Sequence, residues 1–184
     1  MEATFAAGAL LLRAAAMAIG LVLLASAAHK LLDWPTFRAA VSNYRLLPEG
    51  LVGPVALALA MLEAIAGIAL LVDGLRILGA WLAMTAIGFA TLAVVINLIR
   101  GRIAIDCGCG GLGGSQRLSW GLVVRNAVLL VALAIGTTLD AASTGALLDF
   151  ATLAALTLSL VALHAAASQL LANRSLFIHA VSRS

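Results

Sequence analysis

The only two cysteines of this 184-residue chain stand two positions apart, in the run Asp106-Cys107-Gly108-Cys109-Gly110-Gly111-Leu112-Gly113-Gly114. Thiols at that spacing suggest redox chemistry. A disulfide needs its Cα atoms within about 4.4–6.8 Å, so a Cys-Gly-Cys bridge closes only where the backbone folds sharply. Glycine between and after the cysteines supplies that freedom. A bond closed under strain is the readily reduced kind that takes part in exchange. Other chemistries compete. A structural zinc site requires four ligands, and no nearby His or further Cys completes one. Copper(I) accepts two thiolates. Two inert thiols in a flexible loop is the plainest alternative, because free cysteines are usually buried and unreactive. Cys107 and Cys109 are the candidate catalytic residues, and no metal is assigned.

Around this pair, Arg102 and Arg117 would favour a thiolate, and Asp106 would oppose it. A second group of polar residues lies within apolar runs: Arg13, Glu63, Asn97, Arg125 and Asn126. Charges inside a membrane are costly, face the interior of a bundle and are functional candidates by default. Arg125 and Asn126 follow the cysteine loop closely. They could hold a quinone oxygen or stabilise a thiolate; alternatively, Arg125 pairs with Glu63 and locks the bundle. Lys30 and Asp33 have helical spacing for an ion pair. A quinone is the candidate electron acceptor, with no cofactor assigned outright.

The elements that must position these residues follow from composition. Hydrophobic residues make up 64% of the chain and charged residues 10%, against roughly 25% charged in soluble domains. The mean hydropathy is +1.14. So few charges cannot cover a soluble surface, and lipid is the solvent that tolerates the excess. Five runs approach the roughly 20 apolar residues a spanning helix needs, near residues 10–32, 52–72, 77–99, 122–139 and 147–171. The expected fold is all-α: a polytopic bundle of about five transmembrane helices, a four-helix core plus one, forming one membrane domain over residues 1–184. The first run includes Ala25-Ser26-Ala27, which resembles a signal-peptidase site. It lacks a basic start and exceeds the roughly 7–15 residues of a signal core, so it is read as a retained span.

Two connections, 33–50 and 100–119, are long and polar. With five spans they fall on one side of the membrane, together with the C-terminal tail. In the first, Trp34, Phe37, Val41 and Tyr44 recur at helical spacing after Pro35, which predicts a short interfacial helix. The long loops and tail carry Lys30, Arg38, Arg45, Arg100, Arg102, Arg117, Arg174 and Arg183, and the opposite face carries Arg76. Charge bias would place the long loops in the cytoplasm. The net charge of +3 is scattered, which gives no footprint for nucleic acid.

Taken together, His29-Lys30 with Trp34 and Phe37, the run Asn43-Tyr44-Arg45-Leu46-Leu47-Pro48, Glu63 followed by Gly67, and Asp106-Cys107-Gly108-Cys109-Gly110 give the chain a recognisable pattern. It resembles the MauE/DoxX family of redox-associated membrane proteins, and within it the MauE branch that serves bacterial methylamine utilisation. The resemblance implies maturation of the methylamine dehydrogenase small subunit, which carries tryptophan tryptophylquinone and many disulfides. It implies a MauD-like, thioredoxin-fold partner that exchanges electrons with the membrane protein, much as DsbA does with DsbB. On that analogy Cys107 and Cys109 are the redox couple of a multi-pass protein of the bacterial inner membrane, and their loop faces the periplasm, against the charge bias. The rival expectation is a membrane scaffold or chaperone with no turnover, which holds the partner and the small subunit together.

Overall fold

The computed structural model describes residues 2–103, 105, 107, 117–138 and 147–181. Six α-helices account for most of them: α1 (Glu2–Leu32), α2 (Trp34–Asn43), α3 (Glu49–Leu71), α4 (Arg76–Ile99), α5 (Trp120–Thr138) and α6 (Leu147–Val181). Helices are the open-ended structures that satisfy every backbone N–H and C=O internally, as hydrocarbon demands. All of them except α2 contain a stretch long and apolar enough to cross a membrane. The protein is thus a multi-pass, all-α membrane protein, and each expected span coincides with one helix. α6 runs ten residues past the expected end at residue 171.

α1 is the centre of the bundle and packs against α3, α5 and α6; α3 also packs on α4, and α4 on α5. Small residues make the α1–α3 contact close. A Cβ on Gly67 would lie 2.8 Å from the Gly20 carbonyl oxygen and 2.7 Å from Leu24 Cγ. Backbone proximity of this kind is what holds helices together where the hydrophobic effect is absent. Gly79 plays the same part between α3 and α4, where a Cβ would meet the backbone of Ala69 and Leu70. Gly88 of α4, by contrast, faces open space.

The chain turns between α3 and α4 through a single 3₁₀ turn at Asp73–Leu75. Arg13 reaches across from α1 and donates to both Asp73 carboxylate oxygens, at 2.8 and 2.9 Å. A charge that lies within the first apolar run is thereby paired at the membrane edge.

At the other end, α1 and α2 meet at a corner. Pro35 stands in the first turn of α2; it lacks an N–H, and its ring disfavours helical geometry in the residue before it. The predicted helix of the first loop is present, and its apolar side is committed to the protein. Phe37 and Ala40 are buried, and Phe37 packs on Ala56 and Ala60 of α3.

Candidate functional site

The placement of Cys107 begins at the end of α4. Gly101 adopts φ +70°, a left-handed conformation that glycine accepts without strain. Its N–H donates to the Leu98 carbonyl at 3.0 Å, and the Arg102 N–H donates to the Asn97 carbonyl at 2.9 Å. This paired closure is the Schellman end of a helix, and it folds the chain back over α4. The Arg102 guanidinium then donates through Nη1 to the Tyr44 carbonyl (3.2 Å) and to Asn97 Oδ1 (3.4 Å). Asn97 is fully buried and donates its own amide to the Ala93 carbonyl. Tyr44 in turn donates its hydroxyl to the Cys107 carbonyl at 3.0 Å. The Leu118 N–H donates to the Ile105 carbonyl at 3.1 Å and draws the neck of the loop together.

Cys107 is buried, at 7% exposure, among Tyr44, Val94, Leu98, Leu118 and Leu122. Arg102, expected beside a thiolate, acts on this cysteine through Tyr44. Arg117 is exposed at the loop's far end. Asp106 and Cys109 lie outside the described residues. Tyr44, the only tyrosine of the chain, is a site residue that the sequence showed as part of an apolar stripe and of the Asn43–Pro48 run, with no sign of its role at Cys107.

The charges expected to pair along or across the bundle pair differently. Glu63 does not meet Arg125. Its Oε1 accepts a hydrogen bond from Lys30 Nζ, and the two side chains are 6% and 3% exposed. The reason is topological: α3, which carries Glu63, packs against α1, whereas α5 packs chiefly on α4 and α1. Lys30 likewise does not hold Asp33. α1 ends at Leu32 and Asp33 sits exposed at the corner, while Lys30 turns inward to the carboxylate. Lys30 also lies 5.2 Å from the centroid of the Phe37 ring, within cation–π range. Glu63 Oε2 is buried with no hydrogen-bond partner.

Arg125 instead belongs to a network of neutral partners. It donates through Nη1 to Ser168 Oγ of α6 at 3.0 Å, and through Nε and Nη2 to Asn126 Oδ1 at 3.3 and 3.2 Å. Asn126 is buried and donates Nδ2 to Thr91 Oγ1 at 2.9 Å. α4, α5 and α6 are thereby tied together. Thr91 and Ser168 were not visible as site residues, because a lone hydroxyl in an apolar run gives no signal.

These pieces border one cavity of about 440 Å³ between α3 and α4. Its walls are mostly aliphatic and aromatic. Lys30, Tyr44, Cys107 and Asn126 supply the polar or sulfur-bearing part of the lining. Among the described residues, no three His, Cys, Asp or Glu side chains gather as a metal site would require.

A sequence model of the family described as methylamine utilisation protein MauE matches residues 8–139, from the first turns of α1 to the end of α5. The chain belongs to the MauE family. A MauE protein of Paracoccus denitrificans is 40% identical over 135 residues, 73% of each chain. That of Paracoccus versutus is 37% identical over 128 residues, 69% of each. That of Methylorubrum extorquens is 42% identical over 113 residues, 61% of each. No solved structure matches the chain. The family segment contains Lys30, Tyr44, Glu63, Arg102, Cys107, Arg125 and Asn126, so every described candidate except Ser168 lies within it.

Proposed function

We propose that this protein acts in methylamine utilisation as a thiol–disulfide exchanger of the bacterial inner membrane, maturing the methylamine dehydrogenase small subunit. Its relatives carry the name of that system. The observation that carries the reading is the fixing of Cys107. A cysteine of an idle loop needs no anchored backbone, yet the Cys107 carbonyl is held by Tyr44, and Tyr44 is held by Arg102.

The burial of Cys107 assigns the two cysteines different parts. A thiol at 7% exposure is poorly placed to meet a protein partner, so Cys109 meets it and Cys107 is the inner residue that leaves as a thiolate. Starting from a Cys107–Cys109 disulfide, a thiolate of a MauD-like, thioredoxin-fold partner attacks Cys109 Sγ. A mixed disulfide forms and Cys107 leaves as a thiolate. The partner's second thiolate then attacks the partner's own sulfur in the mixed disulfide, and Cys109 is released. The partner gains a disulfide to pass to the small subunit, and this protein holds the dithiol. This chemistry belongs in the periplasm, where disulfides persist.

The test uses a partner stripped of its second cysteine, which starts the attack and cannot complete it. Non-reducing gels should show a covalent adduct that reductant removes, and peptide mapping should locate it on Cys109. The scaffold reading replaces this one if no adduct forms through either cysteine and cells carrying both Cys→Ser changes still produce active methylamine dehydrogenase.

A further inference from the structure

We infer that the cavity between α3 and α4 binds a membrane-soluble quinone, which takes the electrons of the Cys107–Cys109 dithiol. The inference rests on the exchange reading above and supplies what that reading lacks, an acceptor that regenerates the disulfide.

Three observations define the occupant. The first is the route in. Phe89, Leu92 and Val55 line the cavity and are 63%, 55% and 40% exposed. Phe89 stands ten positions before the end of α4, about 15 Å down the helix at roughly 1.5 Å per residue. The opening therefore lies in the hydrocarbon, and what enters is dissolved in lipid. Its size, about 440 Å³, falls within the roughly 300–1,000 Å³ of small-molecule sites.

The second is the polar lining. Lys30 carries three N–H donors and gives one to Glu63. The Asn126 amide carries two and gives one to Thr91. Both side chains are more than nine-tenths buried. Uncommitted donors from two different helices thus border an apolar space, where leaving them unmatched costs free energy. A lipid acyl chain offers no acceptor. A para-quinone offers one at each end of a flat apolar ring, and a ring suits the aromatic walls of Phe37 and Phe89.

The third is Cys107 itself, which lines the same cavity. The exchange reaction leaves a dithiol of which Cys107 is one member, and its return to the disulfide releases two electrons and two protons. A quinone accepts both. Two S–H bonds break, one S–S bond forms, and the two carbonyl oxygens become the hydroxyls of a quinol. The Lys30 ammonium stabilises negative charge as it develops on the ring oxygen, which is the role of a fixed donor in a dry site.

The test uses the full chain in lipid nanodiscs, reduced, freed of reductant and kept anaerobic, with a short-chain ubiquinone as the probe. One equivalent of quinol per chain should form, read by the loss of the quinone's ultraviolet absorbance. Ala90→Trp on the α4 wall and Ala58→Trp on the α3 wall fill the space and leave both cysteines unsubstituted. Each should lose quinol formation and still give the covalent adduct with the partner, which also shows that the variant is folded. Equilibrium dialysis provides a readout apart from redox turnover: wild type and Cys107→Ser should retain the quinone, and the tryptophan variants should not. The proposal is overturned if adduct-competent wild type forms no quinol, or if both tryptophan variants form it at the wild-type rate. Bound phospholipid that the quinone cannot displace would also overturn it. Absence of the adduct in wild type would instead remove the exchange reading beneath it.

Discussion

The buried Lys30–Glu63 pair gives the sharpest test of the structure. Each side chain is less than a tenth exposed, and Glu63 lies fourteen positions into α3, about 21 Å from its first residue at roughly 1.5 Å per residue. Removing one partner leaves a lone charge at that depth. Breaking a buried pair in this way costs about 3–5 kcal/mol, whereas exchanging both members for apolar groups of similar volume is close to neutral. For a chain of this length about 4 kcal/mol corresponds to a fall of roughly 8–16 °C in the unfolding midpoint. Glu63→Leu and Lys30→Met should each show a fall of that order, and the double variant should recover most of it. The assay is the thermal midpoint of detergent-purified protein, followed by loss of the monodisperse peak in size-exclusion chromatography. Arg125→Ala in the Glu63→Leu background should bring no recovery, because Arg125 is satisfied by Ser168 and Asn126. The pairing is refuted if the double Lys30/Glu63 variant is no more stable than the worse single one. It is equally refuted if removal of Arg125 rescues Glu63→Leu.

Three further outcomes follow. Tyr44→Phe removes the donor to the Cys107 carbonyl, worth about 0.5–1.5 kcal/mol net; Cys107 should then be alkylated faster, measured by mass spectrometry, and unchanged labelling would detach Tyr44 from the site. Gly67→Val places a Cβ at 2.8 Å from the Gly20 carbonyl and should cost about 1–3 kcal/mol through overpacking, while Gly88→Ala, into open space, should leave the thermal midpoint unchanged. An alkaline phosphatase fusion after Gly113 should be active and one after Gly74 inactive; the reverse pattern would place the cysteine loop in the cytoplasm and remove the proposed partner.

The spans were legible because twenty apolar residues in a row form a helix in lipid, and loop lengths alone placed the two long connections at one end of the bundle, where Tyr44 meets Cys107. The pairing of the charges was not read correctly, although a signal existed. On α1 the buried positions Ile19, Leu23, Ala27 and Lys30 form one stripe, and on α3 so do Val52, Ala56, Ala60, Glu63 and Leu70. A lysine and a glutamate on the small-residue stripes of consecutive spans face each other when those stripes pack. The spacing to Asp33 looked as good only because it ignored the side of the helix on which Lys30 lies. Tyr44 was hidden for another reason. Its partner is 63 residues away and is a backbone carbonyl, which no side-chain pattern encodes. The Schellman end of α4 could have been suspected from Gly101, but where it would aim Arg102 depends on α2 lying against α3.

The two ends of the α3–α4 hairpin differ: one is close-packed and the other borders a cavity, in a bundle rich in alanine and glycine. At the turn, Gly79 lies against the backbone of Ala69 and Leu70, so closely that a Cβ there would fall at 2.6 Å. Toward the other end the space between α3 and α4 is lined by α2 as well as by the two helices. α2 fills part of it: Phe37 packs on Ala56 and Ala60, and Tyr44 reaches the cysteine loop. The remainder is the cavity, bounded by Val55 and Leu59 on one side and by Phe89 and Ala93 on the other. Polar ties close its margins where hydrophobic contact is missing, with Lys30–Glu63 between α1 and α3 and Asn126–Thr91 between α5 and α4. Close packing at the turn and the space beside Cys107 thus stand toward opposite ends of the same hairpin.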